Sequence, residues 1–399
     1  VHFDWVVVGA GLSGATLAER IASQLDQRVL VVDRRHHVAG NAYDELDEHG
    51  IRVHRYGAHI FHTVSARVWR YLSCFTQWRP YVHRVRACIG DVVVPVPFNL
   101  DSLRALVPEG DARRMEALLV EHIGAGARVP VLTLLEHPVP ALRELGQLVY
   151  DTVFLGYTVK QWGYRPEEID RAVTGRVPVV VSRDDRYFRD RYQGIPLQGY
   201  TAMVERMLAH PNITVELGVD HRDVADERWW NRMVYTGPID EFFGHAHGPL
   251  PYRSLRFEHR RLPVDRAQPV AVVNHPTQHA YTRVIEHAHF SGQHVGRTTV
   301  TYEYPEPYLP GVNEPYYPLP QPENHRRYAA YAADAAALGG RVVFAGRLAE
   351  YRYYDMDQAV AHALVTFRNA VANAPAADGV PAPAPRTCSA GTAPGRRAR

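Results

Sequence analysis

The sequence predicts an α/β fold: a parallel-sheet domain assembled from separated stretches of chain, with a helical insertion and an antiparallel β-sheet domain set between them. Three observations predict it. The apolar run Val6-Val7-Val8 leads into Gly9-Ala10-Gly11-Leu12-Ser13-Gly14. A helically spaced stretch, Ala15 to Leu25, follows, and then a second apolar run, Arg28 to Val32, which ends at Asp33. Two later runs, Met233 to Gly237 and Arg341 to Arg347, have the same apolar character and reach a glycine. Between them, Leu100 to Tyr150 carries leucines at helical spacing, and Leu255 to Tyr304 alternates with the period of a strand.

The first unit reads strand, Gly-x-Gly-x-x-Gly, helix, strand, acid, which is the order a dinucleotide site requires. Gly9 allows a tight turn, Gly11 lets a pyrophosphate approach the backbone, and Gly14 lets helix and strand pack closely. The helix N-terminus, at Ser13 and Gly14, offers free N–H groups to phosphate. Asp33, 19 residues beyond Gly14, is placed to accept ribose hydroxyls. The chain then runs Arg34-Arg35-His36-His37-Val38-Ala39-Gly40-Asn41. Large FAD-binding oxidoreductases, which this stretch resembles, carry a basic residue and a glycine pair here, beneath the second phosphate. The pair is Ala39-Gly40 in this chain. FAD is therefore expected rather than NAD, on a Rossmann-like domain.

At 399 residues the chain can bury several cores. A composition of 46% hydrophobic and 22% charged residues is that of a water-soluble protein, and a net charge near +2 gives no electrostatic case for nucleic acid or an anionic membrane. Three widely spaced cysteines, Cys74, Cys88 and Cys388, argue against a disulfide framework and for a reducing cytoplasm. No apolar run is long enough to span a bilayer, and the first strand begins too early to leave room for a signal peptide.

In chain order, a helix is expected over Trp69–Phe75. A hairpin is expected across Tyr81–Pro97, with its turn at Gly90-Asp91. Helices are expected through the insertion, with prolines between them. A helix at Tyr200–Leu208 and a strand at Ile213–Leu217 follow. Further on come an antiparallel sheet over Leu255–Tyr304, a helix near His325–Leu338, and a last helix over Asp355–Asn373 with an acid suited to capping. The expected domains are residues 1–75, 190–237 and 339–373 for the cofactor; 98–156 for the helical insertion; and 76–97, 157–189 and 238–338 for the sheet and substrate. Residues 374–399, rich in Ala, Pro, Gly and Arg, are expected to form a disordered tail.

A set of ordered motifs resembles the bacterial UDP-galactopyranose mutase family from Phe3 to about Asn373. They are Gly57-Ala58-His59-Ile60-Phe61-His62, Tyr157-Thr158 with Lys160-Gln161-Trp162-Gly163, and Arg186-Tyr187-Phe188 with Tyr192-Gln193-Gly194-Ile195-Pro196. Tyr281-Thr282-Arg283, Glu286-His287, Glu314-Pro315-Tyr316-Tyr317-Pro318, Gly346 to Tyr351 and Tyr353-Tyr354-Asp355-Met356 complete the set. The resemblance implies an isomerase that uses reduced FAD to interconvert the six- and five-membered ring forms of a nucleotide sugar. The implied route is a flavin N5–sugar C1 adduct, covalent catalysis with the cofactor as nucleophile.

That reaction builds negative charge on a departing diphosphate, which guanidinium groups are suited to meet. The resemblance assigns this role to Arg176 and Arg283. It sets His59 beside the flavin with Ile60 and Asn41, and brings Gly346, Arg347, Tyr353, Asp355 and Met356 to the ring, with the last helix's N-terminus aimed at the cofactor. Nucleotide and sugar fall to His83, Tyr157, Thr158, Trp162, Tyr187, Asn274, Tyr316 and Tyr317. The implied partners are the nucleotide sugar, an external reductant and a second copy in a homodimer, with no nucleic acid and no membrane insertion.

Three positions depart from the family pattern. His83 stands where asparagine is usual, Val180 where a second arginine is common (Arg183 lies three residues on), and Leu155 where lysine is common. The reaction class survives these changes. The sugar is open, and a deoxy sugar or a pentose is the alternative. A conventional FAD oxidoreductase would share the nucleotide domain but explains two arginines and a row of aromatics poorly. In a strand the pairs His245/His247 and His287/His289 would each share a face and could bind a metal, but no third and fourth ligand has evident spacing and Gly244-His245-Ala246-His247-Gly248 reads as a surface loop, so no metal is expected.

Overall fold

Short β-branched runs build the first sheet of the computed structural model, which describes residues 2–169, 177–224, 229–319 and 321–372. Strand Phe3–Val8 lies at its centre. Val29–Asp33 and then Ile213–Leu217 stand on one side, Trp230–Tyr235 and then Val342–Phe344 on the other, all parallel. Val6, Val7, Val31, Val32 and Val234 are fully buried, and this is why the central stretches Val6–Val8 and Val29–Val32 read as unbroken apolar runs, whereas the edge strand Ile213–Leu217 is largely exposed. Helices Leu12–Leu25, Gly199–Leu208 and Met356–Thr366 bury Leu17, Ile21, Met203, Met207, Val360 and Leu364 against one face. Asp44 accepts hydrogen bonds from the N–H groups of Tyr200 (2.8 Å) and Thr201 (3.0 Å), and so starts the second of these helices from a distant part of the chain.

The second sheet has seven strands, in the order Tyr317–Pro318, Tyr252–Leu262, Thr298–Pro307, Arg283–Glu286, Val272–Asn274, Val85–Ile89 and Val92–Val96. The expected hairpin is present. The sheet is not wholly antiparallel, however: Val272–Asn274 pairs parallel with Val85–Ile89. The hairpin comes from a remote stretch of chain, so no tight turn dictates its direction at that seam. A third, three-stranded sheet joins Phe61–Thr63, Tyr192–Pro196 and Trp78–Pro80.

Helices Leu100–Leu106, Glu109–His122, Val131–Leu135 and Pro140–Val149 pack Leu103, Leu119, Leu134, Leu142 and Leu145 into a core of their own. Asn99 caps the first by accepting from Ser102 N–H, while its own N–H donates to Ser102 Oγ, and Pro140 occupies the first turn of the last. A π-helical stretch, Tyr150–Leu155, then carries the chain without a break into helix Gly156–Trp162. The insertion thereby ends as a wall of the cleft described below.

Other expectations shift or fail for local reasons. The helix expected over Trp69–Phe75 is Ala66–Leu72, because the Ser65 hydroxyl caps it earlier by accepting from Val68 N–H. His287 and His289 do not share a strand. The strand ends at Glu286, and His289 lies on the helical turn Ala288–Ser291. His245 and His247 lie in a turn, as the expected loop requires, and there His247 contacts Asp334 at 2.6 Å. No described helix is long and apolar enough to cross a membrane. Cys74 and Cys88 are free thiols; Cys388 and the stretch 374–399 fall outside the described residues.

Candidate active site

The glycine turn forms one end of the site. Gly9 adopts φ +103°, and a Cβ there would lie 2.0 Å from Thr236 Oγ1. At Gly14 a Cβ would lie 1.9 Å from the Gly9 carbonyl, so helix and strand touch through the missing side chain. At Gly11 a Cβ would meet nothing nearer than 3.8 Å and would instead fill the groove in front of the turn. Helix Leu12–Leu25 begins with no side-chain cap and no acid in its first turn. Its first N–H groups thus have no side-chain partner and suit an anion. Asp33 is oriented by two backbone amides, Ala10 N–H at 2.8 Å and Arg35 N–H at 2.9 Å. With Arg34, Ala39, Gly40, Asn41 and Gly346, these residues line a groove of 230 Å³. An uncapped helix end, an oriented carboxylate and a cradle that a Cβ would fill fit a dinucleotide.

Arg34 lines the groove with its charge paired to carboxylates. Its guanidinium pairs with Glu314 at 2.7 Å and faces Glu241 at 3.8 Å. Burial works against its charge, and Glu314 and Glu241 more than offset that, so its basicity is raised. Its charge is already matched at the groove's lip.

The groove opens into a larger cavity of 560 Å³, and Asn41, His59, Tyr316, Arg347 and Met356 line both. Ile60, His83, Tyr157, Thr158, Trp162, Tyr187, Asn274, Arg283, Tyr317, Tyr353 and Asp355 line the larger part. Every described residue that the sequence nominates, Gly9, Gly11, Ser13, Gly14 and Asp33 included, therefore lies on one continuous cleft. Arg176 falls outside the described residues.

Arg283 stands opposite Glu303 in adjacent antiparallel strands, and Nη2 lies 2.8 Å from Oε1. Burial opposes its charge, but the wholly buried Glu303 outweighs this and raises its basicity well above the ordinary value. The cleft therefore holds a permanent cation, anchored from behind. Arg283 Nε and Gln161 Oε1 are buried without a hydrogen-bond partner among the described residues, and Gln161 also lines the cavity.

His59 is neutral: burial first, and nearby His54 next, push it down to about 3. Its Nδ1 lies 2.9 Å from the Gly57 carbonyl, which can only accept, so Nδ1 carries the proton and Nε2 is an acceptor. Arg347 is fixed by the carbonyls of Tyr316 and Tyr354, each at 3.1 Å. It packs over the rings of Tyr317 and Tyr353, themselves stacked at 5.4 Å. At the start of helix Met356–Thr366, Asp355 N–H donates to Gln358 Oε1 at 3.0 Å in a capping box, and Asp355 and Met356 line the cleft.

The departures from the pattern have structural counterparts. His83 is 4% exposed, and burial, with Arg283 nearby, pushes it down to about 3, so a neutral imidazole stands in the wall. Val180 is buried in a two-residue strand paired with Arg128–Val129. Arg183 does not replace the missing arginine, because it turns to Asp101 and Glu116 of the insertion. The sequence reading assigned no role to Glu303, Gln161, His62, Phe188 or Asp190. For Glu303 a signal existed: a charge in the inward phase of an alternating strand, beside Thr299 and Thr301.

The comparisons with known proteins agree with this geometry. Residues 7–75 match a family model described as an NAD(P)-binding Rossmann-like domain, and residues 152–353 match one described as UDP-galactopyranose mutase. A Klebsiella pneumoniae protein named as a probable UDP-galactopyranose mutase is 37% identical over 376 residues, 92% of this chain and 95% of its own. An Escherichia coli dTDP-fucopyranose mutase is 34% identical, over 90% of this chain and 96% of its own. A crystal structure of reduced UDP-galactopyranose mutase superposes with a TM-score of 0.68 at 16% identity, covering 93% of this chain and 96% of that one. A shared fold, and identity above a third along nearly the whole length, have one reading: the chain belongs to the UDP-galactopyranose mutase family of isomerases.

Proposed function

We propose that this protein is a reduced-FAD-dependent mutase that interconverts the pyranose and furanose forms of a nucleotide sugar, UDP-galactose or a close analogue. The observation that carries the reading is the continuity of the cleft. A glycine-rich groove fit for a dinucleotide runs, past His59 and Arg347, into an aromatic-walled cavity holding a buried cation, Arg283. Reduced FAD, when bound, supplies a nucleophilic N5 for the sugar's anomeric carbon. The chain's own residues do the rest. Gly11, Ser13, Gly14 and Asp33 hold the dinucleotide, with Gly9 shaping the turn and Gly40 and Asn41 beside it. Arg283, with Arg176, meets the charge that grows on the diphosphate as the C1–O bond breaks. Tyr157, Trp162, Tyr187, Tyr316 and Tyr317 grip base and diphosphate, with Thr158 and Asn274 as polar contacts. His59 presents Nε2 as an acceptor to the cofactor. Ile60, Arg347, Tyr353, Asp355 and Met356 close that end, and Gly346 admits it.

The buried His83 favours a second reading of the substrate: the same ring contraction on another nucleotide sugar, a deoxy sugar or a pentose. The E. coli relative's name points the same way. The test is anaerobic turnover of UDP-galactofuranose and of dTDP-fucofuranose by dithionite-reduced protein, followed by chromatography. Expected is conversion that requires prior reduction yet consumes no reductant per turnover. Stoichiometric consumption would make the protein a conventional oxidoreductase instead.

A further inference from the structure

A change of ring size is, besides its chemistry at C1, a proton exchange between two oxygens of one sugar. The bond from C1 to the ring oxygen breaks, and that oxygen keeps the electron pair and takes a proton. A lone pair of another hydroxyl oxygen bonds to C1, and that hydroxyl gives up its proton. Nothing is oxidised, and one group able to give and then take a proton completes the balance.

The cavity holds such a group. In strand Phe61–Thr63 the side chains alternate. Phe61 stacks on Trp78 at 5.0 Å, Thr63 donates to Asp357 at 2.9 Å, and His62 lies between them and lines the cavity. Strand Tyr192–Pro196 pairs with this strand, Gln193 opposite His62, and so brings Asp190 alongside. His62 Nδ1 lies 2.5 Å from Asp190 Oδ2. The carboxylate can only accept, so Nδ1 carries a proton and Nε2 is the nitrogen left for exchange. Phe188 stacks on the imidazole face, centroids 3.5 Å apart, and fixes its plane. Nε2 has no hydrogen-bond partner among the described residues. Of the described histidines lining the cavity, His59 bonds a carbonyl and His83 contacts a tyrosine hydroxyl at 3.5 Å; His62 alone is backed by a carboxylate.

We infer that His62 is the acid–base group of the ring-size change and that Asp190 positions its ring. The inference rests on the mutase reading above. In either direction the ring, starting with a proton on both nitrogens, gives the one on Nε2 to the oxygen leaving C1, and the freed nitrogen then takes the proton of the oxygen bonding to C1. The imidazole ends as it began, and Asp190 holds it in register throughout.

The experiment uses the reduced holoenzyme with UDP-galactopyranose carrying ¹⁸O in its anomeric bridge. Migration of the label to non-bridging positions reports C1–O cleavage and return; appearance of the furanose reports ring contraction. His62→Gln is expected to bind UDP as the wild type does, by tryptophan fluorescence, and to exchange the label within about threefold of the wild-type rate. Its ring contraction is expected to fall about 10²–10⁴-fold. Asp190→Asn, which keeps the imidazole, is expected to slow contraction about tenfold or more and to move its pH profile, again sparing exchange. Label exchange falling in step with contraction, or contraction within tenfold of wild type in His62→Gln, would overturn the assignment. If His62→Gln does not fold, an unmoved rate and pH profile in Asp190→Asn would overturn it. Wild-type protein that neither exchanges nor contracts UDP-galactose or dTDP-fucose would instead refute the mutase reading on which the inference rests.

Discussion

Arg283 shows how a single charge is fixed in place by the fold. Its guanidinium is planar and forked, and Glu303 behind it is wholly buried, so the charge has one fixed position at the cavity wall. Arg283→Lys keeps a charge but loses the fork. It is expected to lower kcat/KM about 10²–10³-fold, measured on the furanose-to-pyranose reaction with the reduced enzyme. Glu303→Gln leaves a buried cation without its partner. It is expected to destabilise the fold by about 3 kcal/mol in urea denaturation. At the other end of the cleft, Gly9→Ala would force both a left-handed φ and a collision with Thr236, and should yield protein that purifies without flavin absorbance. Gly9 and Arg283 were legible in the sequence because each lies in a contiguous motif. The phase of its strand marked Glu303 as an inward charge, but its pairing with Arg283 and the His62–Asp190 pair were not legible, because each pairing depends on the register between strands far apart in the chain.

At the scale of elements, the helical insertion does more than fill space. Its last helix passes through a π-helical stretch and ends in Gly156–Trp162, which carries Tyr157, Thr158 and Trp162 into the cleft. Gly156 lets this helix touch the sheet's loop: a Cβ there would lie 2.5 Å from the Pro276 carbonyl, although its φ of −62° suits any residue. Gly156→Ala should push the helix outward. A rise in KM for the nucleotide sugar of about tenfold is expected, with kcat little changed, flavin content intact and stability reduced by about 1–3 kcal/mol. Steady-state kinetics and a flavin spectrum on one preparation test all of this. The helices of the insertion were legible from leucine spacing and the prolines between them. The parallel seam between Val85–Ile89 and Val272–Asn274 was not, since a strand's sequence carries no mark of its neighbour's direction.

At the scale of the whole molecule, buried histidines couple the fold to pH. Burial, with Arg52 nearby, pushes His54 down to about 3; burial also depresses His83 to about 3 and His287 well below its ordinary value. In the unfolded chain each would titrate near 6.5. Below that pH the unfolded state binds more protons than the folded one, so stability is complete above about pH 6.5 and falls as the pH drops towards 3. Each ring contributes a slope on the order of 1 kcal/mol per pH unit in that window. Thermal melts at pH 7.5, 6.5, 5.5 and 4.5 should show little change across the first step and a steepening loss afterwards. A flat series would mean that these rings are hydrated in the folded state.

By itself the sequence determined the dinucleotide unit, the apolar strands, the helical insertion and a set of residues that all line the cleft. These are local properties: glycine spacing, side-chain periodicity and contiguous motifs act within a few residues of one another. Only the tertiary structure decided which charges neutralise one another and which remain for a ligand. It turned Arg34 to Glu314 and Glu241, Arg183 to Asp101 and Glu116, and Asp190 to His62. Electrostatic pairing depends on distances of a few ångströms between residues as many as 280 positions apart in the chain, and no local pattern encodes those distances.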